Sequence, residues 1–254
     1  MSVVAPSSGE VQTVVTARRL QDAGSVFIGV GRPGTAAILA SRVHNPDLVL
    51  VYESGTIGAR PQRIPLSIGD GELAETATSV VSALEMFNYW IGPGRIDVAL
   101  LGAAQVDRFA NLNSTVIGDY AHPRTRLPGA GGAPEIAAGC GEVVVVVPHT
   151  ARTFVERLEF MTTVGHGDGV VDGTPSRERL GFRGAGPTAV ITDLGVLEPD
   201  PETKELTLTQ VHAGVEVEQV LDATGWPLRV ADAVTTTEPP TAAELDALRK
   251  LTGR

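Results

Sequence analysis

Three features of the chain combine residue types and spacing that point to chemistry. They are a glutamate at the end of an apolar run, a cluster of glycines, and a glutamine in a polar block. Glu53 follows Val49-Leu50-Val51-Tyr52 and precedes Ser54-Gly55. A short unbroken apolar run is how a strand covered on both faces reads in sequence. In open parallel sheets, ligands bind at the carboxyl ends of the strands. The carboxylate is therefore placed where a strand hands over to a loop, with Gly55 allowing a sharp exit. A carboxylate is a weak nucleophile, and it attacks a carbonyl when the leaving group is good and the site is desolvated. A thioester supplies such a leaving group. By position alone, an ion pair with an arginine or a helix cap explains Glu53 at least as well.

The glycines lie in Pro128-Gly129-Ala130-Gly131-Gly132-Ala133-Pro134. Backbone N–H groups of such a loop can approach an oxyanion or a phosphate closely, and a helix starting near Ala133 would add its positive end. A flexible surface turn is the competing reading. No Lys-Ser or Lys-Thr follows, so the run is not a Walker-type phosphate loop. It does not follow a strand directly, so it is not the dinucleotide fingerprint either. Gly29-Val30-Gly31-Arg32-Pro33-Gly34 matches that fingerprint loosely, with Gly34 one residue early.

The third feature is Gly102-Ala103-Ala104-Gln105-Val106-Asp107, with Asn111, Asn113, Ser114 and Thr115 close behind. It is either a set of hydrogen-bonding groups at the same sheet edge as Glu53 or a polar loop making its own Asx turns. The five histidines are scattered, and none has metal-ligand spacing to another His or to the single cysteine, so no metal is assigned. Ser54 lacks the Gly-x-Ser-x-Gly setting of a hydrolase elbow. Arg32, Arg60, Arg63, Arg124 and Arg126 could each meet a substrate carboxylate or stand as solvated surface charges.

The elements that must position these residues alternate along the chain. Helical spacing runs from Val11 to Leu20, and Ser25 to Val30 reads as a first buried strand. A helical stretch follows from Ala36 to Val43, and the strand ending at Glu53 begins near Asp47. Residues 72–84 read as helical, Arg95 to Gly102 as a third strand and Glu142 to Pro148 as a fourth. Thr188 to Thr192 and Leu206 to Val211 are further strands, while 216–223 and 242–251 are helices. Thr241 and Glu244 form the capping box of the last helix. This alternation predicts an α/β fold, a single domain with an open, mostly parallel sheet flanked by helices. Residues 1–10 are expected to be a flexible N-terminus, 11–254 the domain, and 165–187 a long surface loop.

The net charge of −10, without a basic stripe, argues against nucleic acid and anionic membrane surfaces as partners. No apolar run approaches the roughly 20 residues of a membrane span. Cys140 is the only cysteine, so no internal disulfide forms, which fits a reducing compartment. The first ten residues lack a secretory signal. The expectation is a cytoplasmic protein.

Five ordered blocks carry a family resemblance: Tyr52-Glu53-Ser54-Gly55, Leu66-Ser67-Ile68-Gly69-Asp70-Gly71-Glu72-Leu73, Gly102 to Phe109, Asn113 to Tyr120, and Leu127 to Ala137. Together, across about Val11 to Leu251, they resemble the B subunits of family I CoA-transferases, on the glutaconate-type branch. The resemblance implies that fold and a transferase in which Glu53 is catalytic. Glu53 would attack an acyl-CoA carbonyl to give a glutamyl anhydride and CoA thiolate, which returns to form a glutamyl-CoA thioester. Gly129, Gly131 and Gly132 would line the oxyanion and CoA loop, with Gln105 and Ser54 orienting substrate. CoA thioester is then a substrate, with no permanently bound cofactor, metal, flavin or nicotinamide. The implied donor is succinyl-CoA, and the acceptor a dicarboxylic acid, first 3-oxoadipate in aromatic catabolism, alternatively glutaconate. An A subunit would complete the site in a heterotetramer of two A and two B chains. Ala110 replaces a family glycine, which alters a local turn, and Ser54 replaces the Asn of the other branch. Hydrolysis or decarboxylation on the same fold is disfavoured by the retained Glu53. A non-catalytic acyl-CoA-binding subunit is the reading from a different class.

Overall fold

The computed structural model describes residues 5–29 and 31–253. Ten strands build the main sheet. They are β1 (Ser25–Ile28), β2 (Val49–Tyr52), β3 (Thr56–Ile57), β4 (Ser79–Val80), β5 (Val98–Leu101), β6 (Glu142–Val146), β7 (Pro187–Ile191), β8 (Gly195–Pro199), β9 (Leu206–Val211) and β10 (Arg229–Thr236). Their spatial order is β10-β9-β8-β7-β6-β5-β1-β2-β3-β4. The five central strands, β7 to β2, are parallel. Antiparallel pairings extend the sheet through β8 and β9 on one side and β3 and β4 on the other, and β10 runs parallel to β9.

Taken in chain order, the parallel core has the arrangement 2-1-3-4-5, so the winding reverses between β1 and β5. Ligands of such sheets bind above the carboxyl ends at the reversal. Glu53 leaves β2 beside that point.

The central strands form because their apolar residues are covered on both faces. Val51, Ala99, Leu101, Val143 and Val145 pack into one layer, and Leu50, Tyr52, Val98, Leu100, Val144 and Val146 into the other. This is the period-2 alternation of a strand with two buried faces. The second layer is closed by α1 (Ser8–Arg18), α2 (Arg32–Val43) and, at the end of the chain, the helix Ala242–Thr252, through Val14, Ile38, Leu39 and Leu248. The first layer is closed by the segments that carry Met86, Ile91, Ile136 and Trp226.

The stretch expected to be loose over residues 1–10 contains a fastened helix start. The Ser7 hydroxyl accepts from the Glu10 amide, and the Glu10 carboxylate accepts from the Ser7 amide at 2.8 Å. Glu10 also pairs with Arg249 of the last helix at 2.8 Å. Residues 1–4 lie outside the described residues, as does Val30 at the end of the expected first strand. A second clamp joins the same helices, where Arg18 donates twice to Glu244 at 2.7 Å. The Arg249 and Ser7 hydrogen bonds hold the Glu10 carboxyl at about 2, below its ordinary 4.5. Burial pushes Glu244 up, but the Arg18 and Thr241 hydrogen bonds outweigh it and bring it to about 2 as well. Lowered carboxylates stabilise fully above their unfolded value, and that contribution is lost as pH falls through the folded value. Amide protection of residues 242–252 should therefore be lost between pH 4.5 and about 2. Hydrogen exchange measures this, and Glu244→Gln should weaken protection already at neutral pH.

Two further stretches differ from expectation. In place of one helix over 72–84 there is a short helix Gly71–Glu75, the edge strand β4, a turn at Ala83–Glu85 and a π-helical segment Met86–Ile91. Thr76, Thr78, Ser79 and Val80 interrupt the helical pattern with β-branched and polar residues. Residues 165–187 are not a simple surface loop. They hold a small hairpin and a turn of helix, and His166, Ser176 and Arg177 are buried.

Candidate active site

Glu53 sits in a tight turn in which the Gly55 amide donates to the Tyr52 carbonyl at 2.9 Å. Gly55 has φ +101°, and a Cβ there would fall 1.9 Å from the Val81 carbonyl oxygen. Only glycine lets the segment after β4 lie directly against this turn. Glu53 is half-buried, and among the described residues its carboxylate makes no hydrogen bond or ion pair. Neither competing reading, arginine partner or helix cap, describes it.

The glycine loop lies against this carboxylate. A Cβ on Gly131 would stand 3.9 Å from Glu53 Oε2, and one on Gly132 would stand 3.1 Å from Oε1. Two residues far apart in sequence thus share one point in space. The loop is tied at its entry: the Leu127 amide donates to Thr115 O at 3.0 Å and the Gly129 amide to Ser114 O at 2.9 Å, while Ser114 Oγ donates to Gly129 O at 2.8 Å. Gly132 then caps α3 (Ala133–Gly139), whose Pro134 suits a first turn. The amides of Ala130, Gly131 and Gly132 find no acceptor among the described residues. Free amides at the positive end of a helix favour an oxyanion beside Glu53.

Two further groups hold α3 in place. The π-helical segment runs alongside it. The Phe87 ring meets Gly132, where a Cβ would be 2.4 Å from Cζ, and the Ile91 carbonyl meets Gly139, where a Cβ would be 2.5 Å away. On another side Arg177 donates to the carbonyls of Ala137 at 2.8 Å, Gly165 at 3.0 Å and Gly184 at 3.1 Å. The Phe182 ring lies 5.1 Å from its guanidinium carbon. Among the described residues no carboxylate pairs with Arg177, and burial lowers its pKa to about 10, so it is charged at neutral pH. A cation on a C-terminal carbonyl of α3 also suits the helix dipole. Arg177→Met would strand three carbonyls, two of them buried. At ~1–3 kcal/mol for each unsatisfied buried group, a loss of several kcal/mol is expected. Urea unfolding of the variant reads it directly.

Gln105 is buried one step away. Its Oε1 accepts from Asn113 Nδ2 at 2.8 Å, and its Nε2 donates to Glu159 at 3.3 Å. No hydrogen bond joins it to Glu53 among the described residues; through Asn113 and Ser114 it borders the loop entry. Ser54 is exposed beside Glu53. The five arginines weighed as substrate contacts all have partners within the chain: Arg32 with Gln12, Arg60 with Pro46 O, Arg63 with Asp70, Arg124 with Glu159 and Arg126 with Tyr120 O. Among the described residues no cluster of His, Cys, Asp and Glu could hold a metal ion, and no helix is long and apolar enough to cross a membrane.

Phe87 and Arg177 escaped the sequence reading. A π-helical turn has no sequence signature, and a buried arginine served only by carbonyls looks like any surface arginine. Ser114 stood in the polar block after Gln105, although its loop-holding bond depends on a contact across the fold.

Residues 10–223 match the family described as Coenzyme A transferase. The chain is 54% identical over 248 residues to the B subunit of 3-oxoadipate CoA-transferase from Pseudomonas knackmussii, covering 98% of this chain and 94% of that one. It is 35% identical to the B subunit of glutaconate CoA-transferase from Acidaminococcus fermentans, covering 92% and 88% respectively. The crystal structure of the A. fermentans glutaconate CoA-transferase superposes with a TM-score of 0.89 at 32% identity, over 97% of this chain and 95% of that chain.

Proposed function

The chain belongs to the Coenzyme A transferase family, and on that premise we propose that it is the B subunit of an enzyme that moves CoA from succinyl-CoA to 3-oxoadipate. The observation that carries this reading is the Glu53 carboxylate, unpaired among the described residues, facing a glycine loop whose amides find no acceptor among them. Glu53 attacks the thioester carbonyl, and the amides of Gly131 and Gly132 stabilise the oxyanion as charge develops on oxygen. CoA leaves as thiolate and the glutamyl anhydride remains. The thiolate attacks the glutamyl carbonyl and releases succinate, leaving a glutamyl-CoA thioester. The acceptor carboxylate then takes CoA by the mirrored steps, and Glu53 is restored. Gly129 sets the path of the loop that receives CoA. Ser54 orients substrate at the exposed mouth, and Gln105 acts by positioning, because both ends of its carboxamide are engaged.

Identity of 54% to a 3-oxoadipate enzyme against 35% to a glutaconate enzyme favours 3-oxoadipate as acceptor. In the reading we propose, the reaction belongs to cytoplasmic catabolism of aromatic compounds, with CoA thioester as substrate and no permanently bound cofactor. An A subunit covers the site, in an assembly of two A and two B chains, and residues 11–254 act as one unit within it. Support for a covering partner comes from the segments around the Glu53 turn, which expose Leu66 at 88% and Leu84 at 75%, with Val80 and Tyr89 also outside.

The test uses the complex with its A subunit and compares initial rates of CoA transfer from succinyl-CoA to 3-oxoadipate and to glutaconate. We expect kcat/KM for 3-oxoadipate to be higher by at least about tenfold, a difference one or two pocket contacts can supply. Preference for glutaconate would overturn the substrate, and CoA release without need of an acceptor would overturn the reaction.

A further inference from the structure

An enzyme that holds CoA on a carboxylate must keep water from the same carbonyl that the acceptor attacks. One side chain stands at that place without a role in the chemistry described so far. A Cβ on Gly132 would meet both Phe87 Cζ at 2.4 Å and Glu53 Oε1 at 3.1 Å, so the ring edge and the carboxylate border one point. An aromatic edge gives a carboxylate no strong hydrogen bond. What it gives is displaced water.

The backbone under Phe87 is also unusual. The Gly92 amide donates to Phe87 O and the Arg95 amide to Trp90 O, both at 2.9 Å and both spanning five residues. π-helical turns are rare and gather at functional sites. This one is fixed at both ends. The Val81 amide donates to Gly55 O at 2.9 Å near its start, and Ile91 O abuts Gly139 at its end. The ring is therefore held on the glycine loop by the turn that carries Glu53 and by the helix that follows the loop.

We propose that Phe87 is the water shield of Glu53, the positioning residue that keeps the glutamyl-CoA thioester for the acceptor acid. The proposal rests on the transferase reading above. In the reaction it suppresses, water attacks the thioester carbonyl of Glu53 and the C–S bond breaks. CoA leaves as thiolate, both protons of the attacking water pass to solvent, and the free carboxylate returns. The net result is hydrolysis of succinyl-CoA to succinate and CoA.

The experiment uses the assembled complex with wild-type chain, Phe87→Ala and Phe87→Leu. Free CoA released from succinyl-CoA without acceptor is compared with CoA passed to 3-oxoadipate, and the lifetime of the CoA adduct on the chain is followed by intact mass. In Phe87→Ala the ratio of hydrolysis to transfer should rise at least about tenfold, and the adduct should decay faster by a similar factor. Phe87→Leu should fall between, and it decides the matter if the alanine variant does not assemble. Hydrolysis and transfer falling together, with adduct lifetime unchanged, would overturn the shield and leave Phe87 a packing residue. A wild-type complex that forms no adduct and transfers no CoA would instead overturn the transferase reading, and the shield with it.

Discussion

Glu53→Ala in the assembled complex should lower CoA transfer by at least about 10³-fold, the scale on which removal of a covalent nucleophile is felt. The side chain makes no hydrogen bond or ion pair among the described residues, so its removal breaks no network and opens no buried polar group. Loss of stability cannot account for a loss of rate at such a position. KM for succinyl-CoA should change little, because a group that acts by attack contributes to the transition state rather than to uniform binding. Glu53→Gln should be nearly as inactive, since a carboxamide oxygen is a far poorer nucleophile. Steady-state kinetics with the A subunit present reads all three statements. A variant retaining more than about a tenth of the rate would place the nucleophile elsewhere.

The second large effect is expected from a single methyl group. Gly132 has φ −88°, an angle that any residue adopts, so Gly132→Ala costs no backbone strain. Its cost is steric. The added carbon falls 2.4 Å from Phe87 Cζ and 3.1 Å from Glu53 Oε1, and one of the three must move. Displacement of the loop misaims its amides, and loss of one oxyanion donor lowers rates by about 10²–10³. We expect the rate of adduct formation to fall by about 10²-fold, with the unfolding midpoint little changed because the neighbours are a ring edge and a half-buried carboxylate. Phe87→Ala in the same chain removes the closest contact and should return part of the lost rate. The two substitutions would then be non-additive, as expected for residues in contact. Additive effects would mean that loop and ring act separately.

The placement of Glu53 at a strand end and the centre of the sheet were legible because each is written locally. Val49 to Tyr52 and Val143 to Val146 are continuous apolar runs, and such runs belong to strands covered on both faces. The last helix announced itself through Thr241 and Glu244. The nearness of Glu53 to Gly131 and Gly132 was implied only by the family resemblance; their adjacency is a product of the 2-1-3-4-5 strand order. The edges of the sheet were harder. β8 mixes a glycine, a glutamate and a proline with only two aliphatic residues, and β10 is largely exposed, so neither shows a clear period. Residues 165–187 misled for a physical reason. Arg177 is satisfied by three backbone carbonyls, and nothing in its neighbours' side chains marks it as buried. The reach of buried Gln105 to Glu159, 54 residues away, is likewise not announced by its own block. Each miss concerns a contact made across the fold by backbone atoms or by a long polar side chain, which leaves no local pattern.

The most direct measurement is the intact mass of this chain, taken from the complex with its A subunit after brief incubation with succinyl-CoA alone. The expected result is a gain equal to CoA less water, located on the peptide containing Glu53 and absent in Glu53→Ala. If free CoA accumulates without any adduct, or if the adduct persists in Glu53→Ala, then Glu53 is not the carrier and the transferase mechanism is wrong.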